Sequence, residues 1–383
     1  MIERLQASLQ DISLSDCVFA IETSCNLWQT LAHHLHARGH TVVLVRPLAT
    51  HHARPSLSGD FSRTDPKDAF LIGRLAWQGS FSRYTAHDDV VQARHRLAIG
   101  HAKIRASLQQ ATARLRALVE LRFPEFLTVL DLDTRSAQYL LERYLLPQDY
   151  LQLDIEREAA ELERISRCQI GRESLCKLVD QARHSIGVPA NGSLARAARH
   201  LCRVYLESVQ QMRRQKTALE KALIEQTCYE PAFQWICSLK GVSDVLASLF
   251  IAEVRCIEDF KHHGAIAKLA GMNLKVSDSG TYHGRRRLSH LGNPRLRWVL
   301  YSMASQTTCY VPEVRAKYLR RSLKHANRTK NVVACVPTLL TLITTMVREQ
   351  RPYYYNPSTE AEVSRLEEEV RNRRTRKKMR PVH

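Results

Sequence analysis

The stretch CVFAIETSCNLWQTLAHHLHARGHTVVLVRPL, residues 17–48, decides the fold of the N-terminal part. Residues 17–22 and 41–46 are apolar, the second run β-branched, and both read as strands. Residues 26–38 between them read as a helix stopped by Gly39. Two strands joined through a helix run parallel, which implies a sheet covered by helices. No G-x-G-x-x-G follows the first strand, which argues against a dinucleotide site. Three histidines, His33, His36 and His40, share a helix side, but no acid or cysteine completes a metal site around them. They read as a solvated face.

Glu22 ends the first strand. Sites in parallel α/β sheets gather at the carboxyl ends of strands, and a charge inside a sheet core is costly. Glu22 is therefore either a solvated strand-end residue or a functional one. A basic, polar loop is expected from Pro47 to Arg63, and the run RTDPKDAFLIGRLAWQGSF (63–81) then reads as a helix. Asp65 and Asp68 stand three apart at its start. One reading makes Asp65 an N-cap, with Pro66 at the first helical position and Asp68 favoured by the helix dipole. The other puts both carboxylates on one helix face, where they can converge on a hard cation such as Mg²⁺.

From about residue 90 the pattern changes. Leu97, Ile104, Leu108, Ala111, Leu115 and Leu118 recur in steps of 7, 4, 3, 4 and 3, a heptad seam on one long helix that Pro124 ends. A second long helix is expected over 193–228, with Leu201, Tyr205, Met212 and Leu219 in looser register. The pair reads as an antiparallel arm or as a dimerising coiled coil. The expected divisions are 1–88, an arm over 89–228, a compact mixed region over 229–325, and a C-terminal helix and tail over 326–383.

The chain has 383 residues and a net charge of +19, with a pI of about 9.7. Such a surplus of cations suits a polyanionic partner, most often nucleic acid. Ten cysteines with no C-x-x-C pair read as reduced thiols, and the polar start MIERLQASLQDISLSD is no secretory leader, so a cytoplasmic protein is expected. The apolar run VVACVPTLLTLITTMV (332–347) is short for a membrane span and holds Pro337; it reads as a buried helix. Tyr353, Tyr354 and Tyr355 read as packing for a terminal helix rather than as a base-stacking platform. The run RNRRTRKKMR (371–380) carries seven basic residues in ten and reads as a disordered tail suited to phosphate contact.

Taken together, AIETSCNLWQTLAHHLHARGHTVVLVRPL and RTDPKDAFLIGRLA resemble the N-terminal domain of the DEDD-type insertion-sequence transposases, relatives of the Piv invertase, some of them guided by a bridge RNA. The resemblance implies a RuvC-like, ribonuclease H-type fold. It makes Glu22, Asp65 and Asp68 three of four carboxylates that bind Mg²⁺ or Mn²⁺. The family's first aspartate, in a V-G-I-D-like strand, has no counterpart: Asp11 and Asp16 precede Glu22, but neither follows an apolar strand. The domain is accordingly expected to lack its first strands.

The resemblance continues downstream. CSLKGVSDVLASLFIAEV (237–254) is similar to the family's helix-hairpin-helix, whose Gly-rich turn meets backbone phosphate; Gly241 matches the first glycine and Ser243 replaces the second. LAGMNLKVSDSGTYHGRRRLSHLGNPRLRWVLYSMA (269–304) matches the family's S-G motif at Ser279 and Gly280, its basic stretch at Arg285, Arg286 and Arg287, and its closing G-N-x-x-L-R at Gly292, Asn293, Leu296 and Arg297. By this resemblance Ser279 is the nucleophile. Gly241, Arg285, Arg286, Arg287, Asn293, Arg295 and Arg297 are the nucleic-acid contacts. Ser277 is a rival that lacks the following glycine. The implied activity is metal-dependent strand exchange on DNA by a homodimer or tetramer, with a guide RNA in some members. Two rivals stand beside it: a non-catalytic DNA- or RNA-binding remnant, and a junction-resolving nuclease working through carboxylates alone, against which the serine motif counts.

Overall fold

The structure, a computed structural model, describes residues 13–24, 27–55, 64–86, 88–275, 278–279, 282–283, 287–355 and 357–378. The chain forms two compact units, Met1–Asp89 and Val90–His383.

In the first unit, β1 (Val18–Glu22) is followed by α1 (Leu27–His36) and β2 (Thr41–Val45). The strands run parallel in register from Val18 opposite Thr41 to Glu22 opposite Val45. The expected β-α-β unit is therefore present. A third strand, β3 (Ser82–Arg83), adds antiparallel to β2, giving the order β1-β2-β3. Alternation along β2 buries both faces, as in a sheet with helices on either side. Val42 meets Ala32 and Leu35 of α1, while Val45 meets Leu71 and Leu75 of α3 (Asp65–Trp77). The region after Pro47 departs from the expected loop, because residues Pro47–Ala53 form a helix, α2. Proline at its first turn suits a helix start, and Ala49 and Ala53 pack against the Val45–Leu71–Leu75 cluster.

The second unit is α-rich. Helix α4 (Asp89–Arg122) and helix α10 (Gly192–Thr227) each run about 50 Å at 1.5 Å per residue. They are antiparallel. Arg94 donates to the Gln226 carbonyl, His101 lies 3.1 Å from Glu220, and Arg122 donates to the Val188 carbonyl just before α10. On α4, Ala98, His101, Ala111, Leu115 and Val119 are buried; Ala98 shares a core cluster with Leu223 of α10, and Leu115 and Val119 share another with Ala198 and Cys202 of α10. Of the expected seam, Ala111 and Leu115 are buried and Leu97, Ile104, Leu108 and Leu118 are half-buried. On α10, Leu201 faces solvent while Cys202, Leu206 and Val209 are buried.

Between these helices the chain folds into a helical cap. It comprises α5 (Phe126–Val129), α6 (Arg135–Arg143), α7 (Pro147–Leu151), α8 (Ile155–Ser166) and α9 (Arg172–Arg183). Phe123, Phe126, Tyr150, Leu162 and Leu178 fill its core together with Leu115 and Val119 of α4 and Ala198 and Cys202 of α10.

At the other end of the long helices a larger core forms. Its helices are α11 (Pro231–Cys237), α12 (Asp244–Val254), α13 (His263–Leu269), α14 (Pro294–Tyr310), α15 (Pro312–Lys324), α16 (Arg328–Val333) and α17 (Val336–Arg348). Phe250, Leu296, Leu300, Met303, Leu339, Leu340 and Ile343 are at its centre. The stretch Arg328–Arg348 has the length and apolarity of a membrane span. Its apolar side chains are instead buried in this core, as expected for a core helix. The last helix, α18 (Pro357–Lys378), packs Val363 and Leu366 on Ala316 and Leu319 of α15. The basic run expected to be disordered is thus helical through Lys378; residues 379–380 lie outside the described residues.

Four two-residue strands connect α13 to α14: β4 (Leu274–Lys275), β5 (Asp278–Ser279), β6 (Tyr282–His283) and β7 (Arg287–Leu288). β4 pairs with β7, and β5 with β6, both antiparallel. The result is one hairpin nested inside another.

Candidate active-site residues

The carboxylates come first in the chain. Glu22 is half-buried at the end of β1, where the Thr50 hydroxyl of α2 donates to its Oε1. Asp68, on the first turn of α3, is held by Arg54, just beyond the end of α2. The guanidinium reaches a single carboxylate oxygen, Oδ1, through Nη2 at 2.8 Å and Nε at 3.2 Å. Asp65 is exposed and has no hydrogen-bond or ion-pair partner among the described residues. The capping reading needs one correction: Thr64 is the N-cap, its side chain unbonded, and Asp65 occupies the first helical position. Both acids remain in the first turn, where the helix dipole favours them.

Helix α2 and the residue that caps it thus supply the partners of two of the three carboxylates. The donor set, oxygen only, suits a hard divalent cation. The Arg54 guanidinium already places a positive charge on Asp68. Among the described residues, however, no three His, Cys, Asp or Glu side chains are gathered closely enough to hold a metal ion. The carboxylates are chemically suited to a cation without forming a ready-made centre.

Ser279 lies on β5 and pairs with Tyr282, three residues on, across the inner hairpin. Gly280, Arg285, Arg286 and Ser277 lie outside the described residues. Arg287 is exposed on β7, opposite Lys275.

The base of this nested hairpin is tightly built. Gly271 (φ +67°) and Gly292 bring two chain segments into contact: a Cβ on Gly292 would stand 2.3 Å from the Gly271 nitrogen and 2.5 Å from the Leu269 carbonyl oxygen. Only glycine fits there. The Ser289 hydroxyl donates to Asn273 Oδ1 at 2.6 Å, and the Asn293 amide donates to the Leu269 carbonyl at 2.7 Å. Asn293 caps α14, its Oδ1 accepting from the Arg295 and Leu296 amides. Its Nδ2 donates to Glu253 on α12 at 2.6 Å. Arg295 forks onto the same carboxylate through Nε at 2.5 Å and Nη2 at 3.1 Å. Arg297 donates to the carbonyls of Ala270 and His290. Asn293, Arg295 and Arg297, expected at nucleic acid, therefore all have partners within the protein.

Glu253, which sequence reasoning passed over, is the anchor of this arrangement. Its side chain is 1% exposed and neutralised by Arg295. His95 of α4 stands 3.8 Å away, and burial, followed by the nearby Arg255 charge, lowers its pKa. The available signal was a lone carboxylate within the apolar run VLASLFIAEV, since a buried charge requires a partner.

Gly241 lies in the turn between α11 and α12 with φ +97°; a Cβ there would come within 2.8 Å of the Tyr310 ring and 3.2 Å of the Gln306 carbonyl oxygen. Ser243, standing where a second glycine was expected, caps α12 by accepting from the Leu246 amide. The histidines of α1 engage aromatic and cationic neighbours: His36 meets the Tyr84 ring edge-on and His34 bonds Arg38. Tyr353 packs on the large core and donates to Glu313 at 2.7 Å.

Two family models match the chain. The Transposase IS116/IS110/IS902 family matches residues 234–319, which include the nested hairpin and its base. A DEDD transposase of the IS110 group matches residues 2–124, which include the carboxylates. The chain belongs to the IS110 family of transposases. No curated protein matches it. As a member of that family it is a DNA-processing protein, and DNA is its partner. Both sets of candidate residues fall within the matched stretches, and the cap between the long helices falls outside them.

Proposed function

We propose that this transposase cuts and rejoins DNA through a serine ester at Ser279. The observation that carries the reading is the placement of Ser279 on the inner hairpin of the segment matched by the IS116/IS110/IS902 family. The Ser279 Oγ attacks a backbone phosphorus. A Ser–O–P bond forms, the P–O3′ bond breaks, and the leaving 3′-oxygen takes up a proton. The proton released by the serine passes to a base or to solvent. Attack of a 3′-hydroxyl on the ester reverses the step and rejoins a strand, so no external energy source is needed. A serine hydroxyl is a weak nucleophile at neutral pH, and phosphoryl transfer depends mainly on positioning and charge neutralisation.

Gly241, Arg285, Arg286 and Arg287 are the proposed backbone contacts. Asn293, Arg295 and Arg297 support them by fixing the hairpin base through Glu253, Ala270 and His290. Glu22, Asp65 and Asp68 are proposed to hold Mg²⁺ or Mn²⁺, which when bound would neutralise phosphate charge. The reading extends to a ribonuclease H-type, RuvC-like first unit, a helix-hairpin-helix around Gly241, a homodimer or tetramer, and a guide RNA.

The test is a denaturing gel with end-labelled element DNA. A protein–DNA adduct that survives denaturation, persists in Ser277→Ala and disappears in Ser279→Ala supports the reading. Cleavage that continues unchanged in Ser279→Ala overturns it in favour of hydrolysis.

A further inference from the structure

Helix α15 has two differently charged faces. Toward α18, Arg315 and Arg320 are neutralised by Glu367 and Glu362, and Ala316 and Leu319 pack on Val363 and Leu366. The other face carries Lys317, Arg321 and Lys324, and the loop and helix that follow add Arg328 and Lys330. None of these five has an ion-pair partner among the described residues. No acid occurs anywhere between Glu313 and Glu349. On α15, Lys317 and Lys324 are exposed and Arg321 is half-buried, and the three stand at i, i+4 and i+7 on one helix face.

The segment is held in shape although residues 324–330 are all exposed. Asn327 caps α16 by accepting from the Lys330 amide at 2.9 Å. Asn331, 1% exposed, donates through Nδ2 to the His325 carbonyl at 2.8 Å, and the His325 amide donates to Arg321. Solvated like charges on a pinned backbone repel one another, and an ordered polyanion relieves that repulsion.

We infer that Lys317, Arg321, Lys324, Arg328 and Lys330 form a contact surface for the phosphate backbone of duplex DNA, separate from the serine hairpin. The surface reads charge rather than sequence, since simple cations on a helix and a capped loop contact phosphates without addressing base edges. Most of it lies beyond residue 319, where the matched family segment ends. The inference rests on DNA being the partner of this transposase and does not depend on which residue performs the cleavage.

The experiment measures binding of the full chain to a 30-base-pair duplex DNA, and to a duplex RNA of the same sequence, across a salt series. The variant is Lys324→Gln/Arg328→Gln/Lys330→Gln, which leaves Asn327 and Asn331 in place. Each lost phosphate contact flattens the slope of log K against log salt by about 0.9, so the triple change flattens it by up to about 2.7. A loss of DNA affinity of tenfold or more, with an unchanged melting temperature, supports the surface. An unchanged slope and affinity in a folded variant overturns it, as does a loss confined to RNA. A second measurement uses the unaltered chain: amine acylation of Lys324 and Lys330 falls when DNA is added. Equal reactivity with and without DNA overturns the inference even if the variant fails to fold. A wild-type chain that binds neither duplex overturns both this surface and the DNA reading; an intact surface without a Ser279 adduct overturns only the proposed chemistry.

Discussion

The two regions that carry the candidate chemistry are built in opposite ways. In the first unit the motif residues Glu22, Asp65 and Asp68 are themselves the reactive groups proposed, and their partners, Thr50 and Arg54, come from a stretch with no motif. Around Ser279 most of the motif serves as scaffold. Gly292 permits a close chain approach, Asn293 caps a helix, Arg295 grips a buried glutamate, Leu296 fills the core and Arg297 ties down two carbonyls. A recurring motif can therefore mark either a site or its support. The deciding observation is how much bonding capacity remains: Glu22 and Asp68 each accept a side-chain bond through one oxygen only, whereas Asn293 is engaged through both Oδ1 and Nδ2 and Arg295 through Nε and Nη2.

The strongest way to break this comparison is Glu253→Ala. If Glu253 anchors the hairpin base, the change leaves the half-buried Arg295 and Asn293 side chains without their acceptor. Leaving a partly buried donor without its acceptor costs about 1–3 kcal/mol, and here two side chains lose theirs. Urea unfolding followed by circular dichroism reads the loss. A change below about 1 kcal/mol would move Arg295 and Asn293 from scaffold back to free functional groups.

Gly292→Ala asks the same question of backbone packing. The new methyl would meet the Gly271 nitrogen and the Leu269 carbonyl oxygen, both backbone atoms that cannot rotate away. Overpacking of this kind costs about 1–3 kcal/mol. The companion change Gly73→Ala, on α3 with nothing within 4 Å of the new methyl, provides the contrast. There alanine stabilises the helix by up to about 1 kcal/mol. Equal effects at the two glycines would remove the distinction.

Arg54→Gln sharpens the comparison from the carboxylate side. The pair is only partly buried, with Arg54 17% and Asp68 37% exposed, so its loss costs about 0–1 kcal/mol. The larger effect is on ligand binding: with the guanidinium removed, Asp68 is available to a cation. Isothermal titration with Mn²⁺ should then show tighter binding in the variant than in the unaltered chain. Weaker binding would assign Arg54 a supporting role in cation capture.

What was legible in the sequence follows from which forces leave a pattern. The β-α-β unit was visible because strand and helix impose different apolar periods on 17–48, and the structure reproduces it within a residue or two. The helix over 47–53 was hidden, since its two histidines and arginine-flanked ends look like a loop and its apolar contacts are only alanines. The buried side of α4 was read only in its apolar part, for a related reason. Arg94, His101 and Arg122 are buried on it, each with a polar partner across the hairpin, and apolar counting skips them. Further helices between the two long ones were legible, but not their packing as a five-helix cap, because a helical arm and a helical cap share the same 3.6-residue period. Of the candidate site, the residue types were legible and their partners were not: Thr50, Arg54 and Glu253 act through contacts distant in sequence.

The smallest predicted effect concerns pH and tests whether buried polar groups on the long helices behave as scaffold. His101 is buried against Glu220, and burial lowers its pKa below the ordinary histidine value, outweighing the opposing pull of the carboxylate. A lowered folded-state pKa means that the unfolded chain binds a proton first as pH falls. The corresponding stability is fully present above the unfolded value near 6.5 and is lost as pH drops through the folded value. His95, lowered in the same direction by burial, adds to the trend. The melting temperature of the second unit should therefore decline between pH 7.5 and 5.5, and His101→Gln should make that decline shallower while lowering stability at pH 7.5. A decline equally steep in the variant would mean that His101 titrates as freely folded as unfolded. The α4–α10 seam would then draw no stability from keeping the ring neutral, and the Glu220 contact would be incidental to the pairing of the two helices.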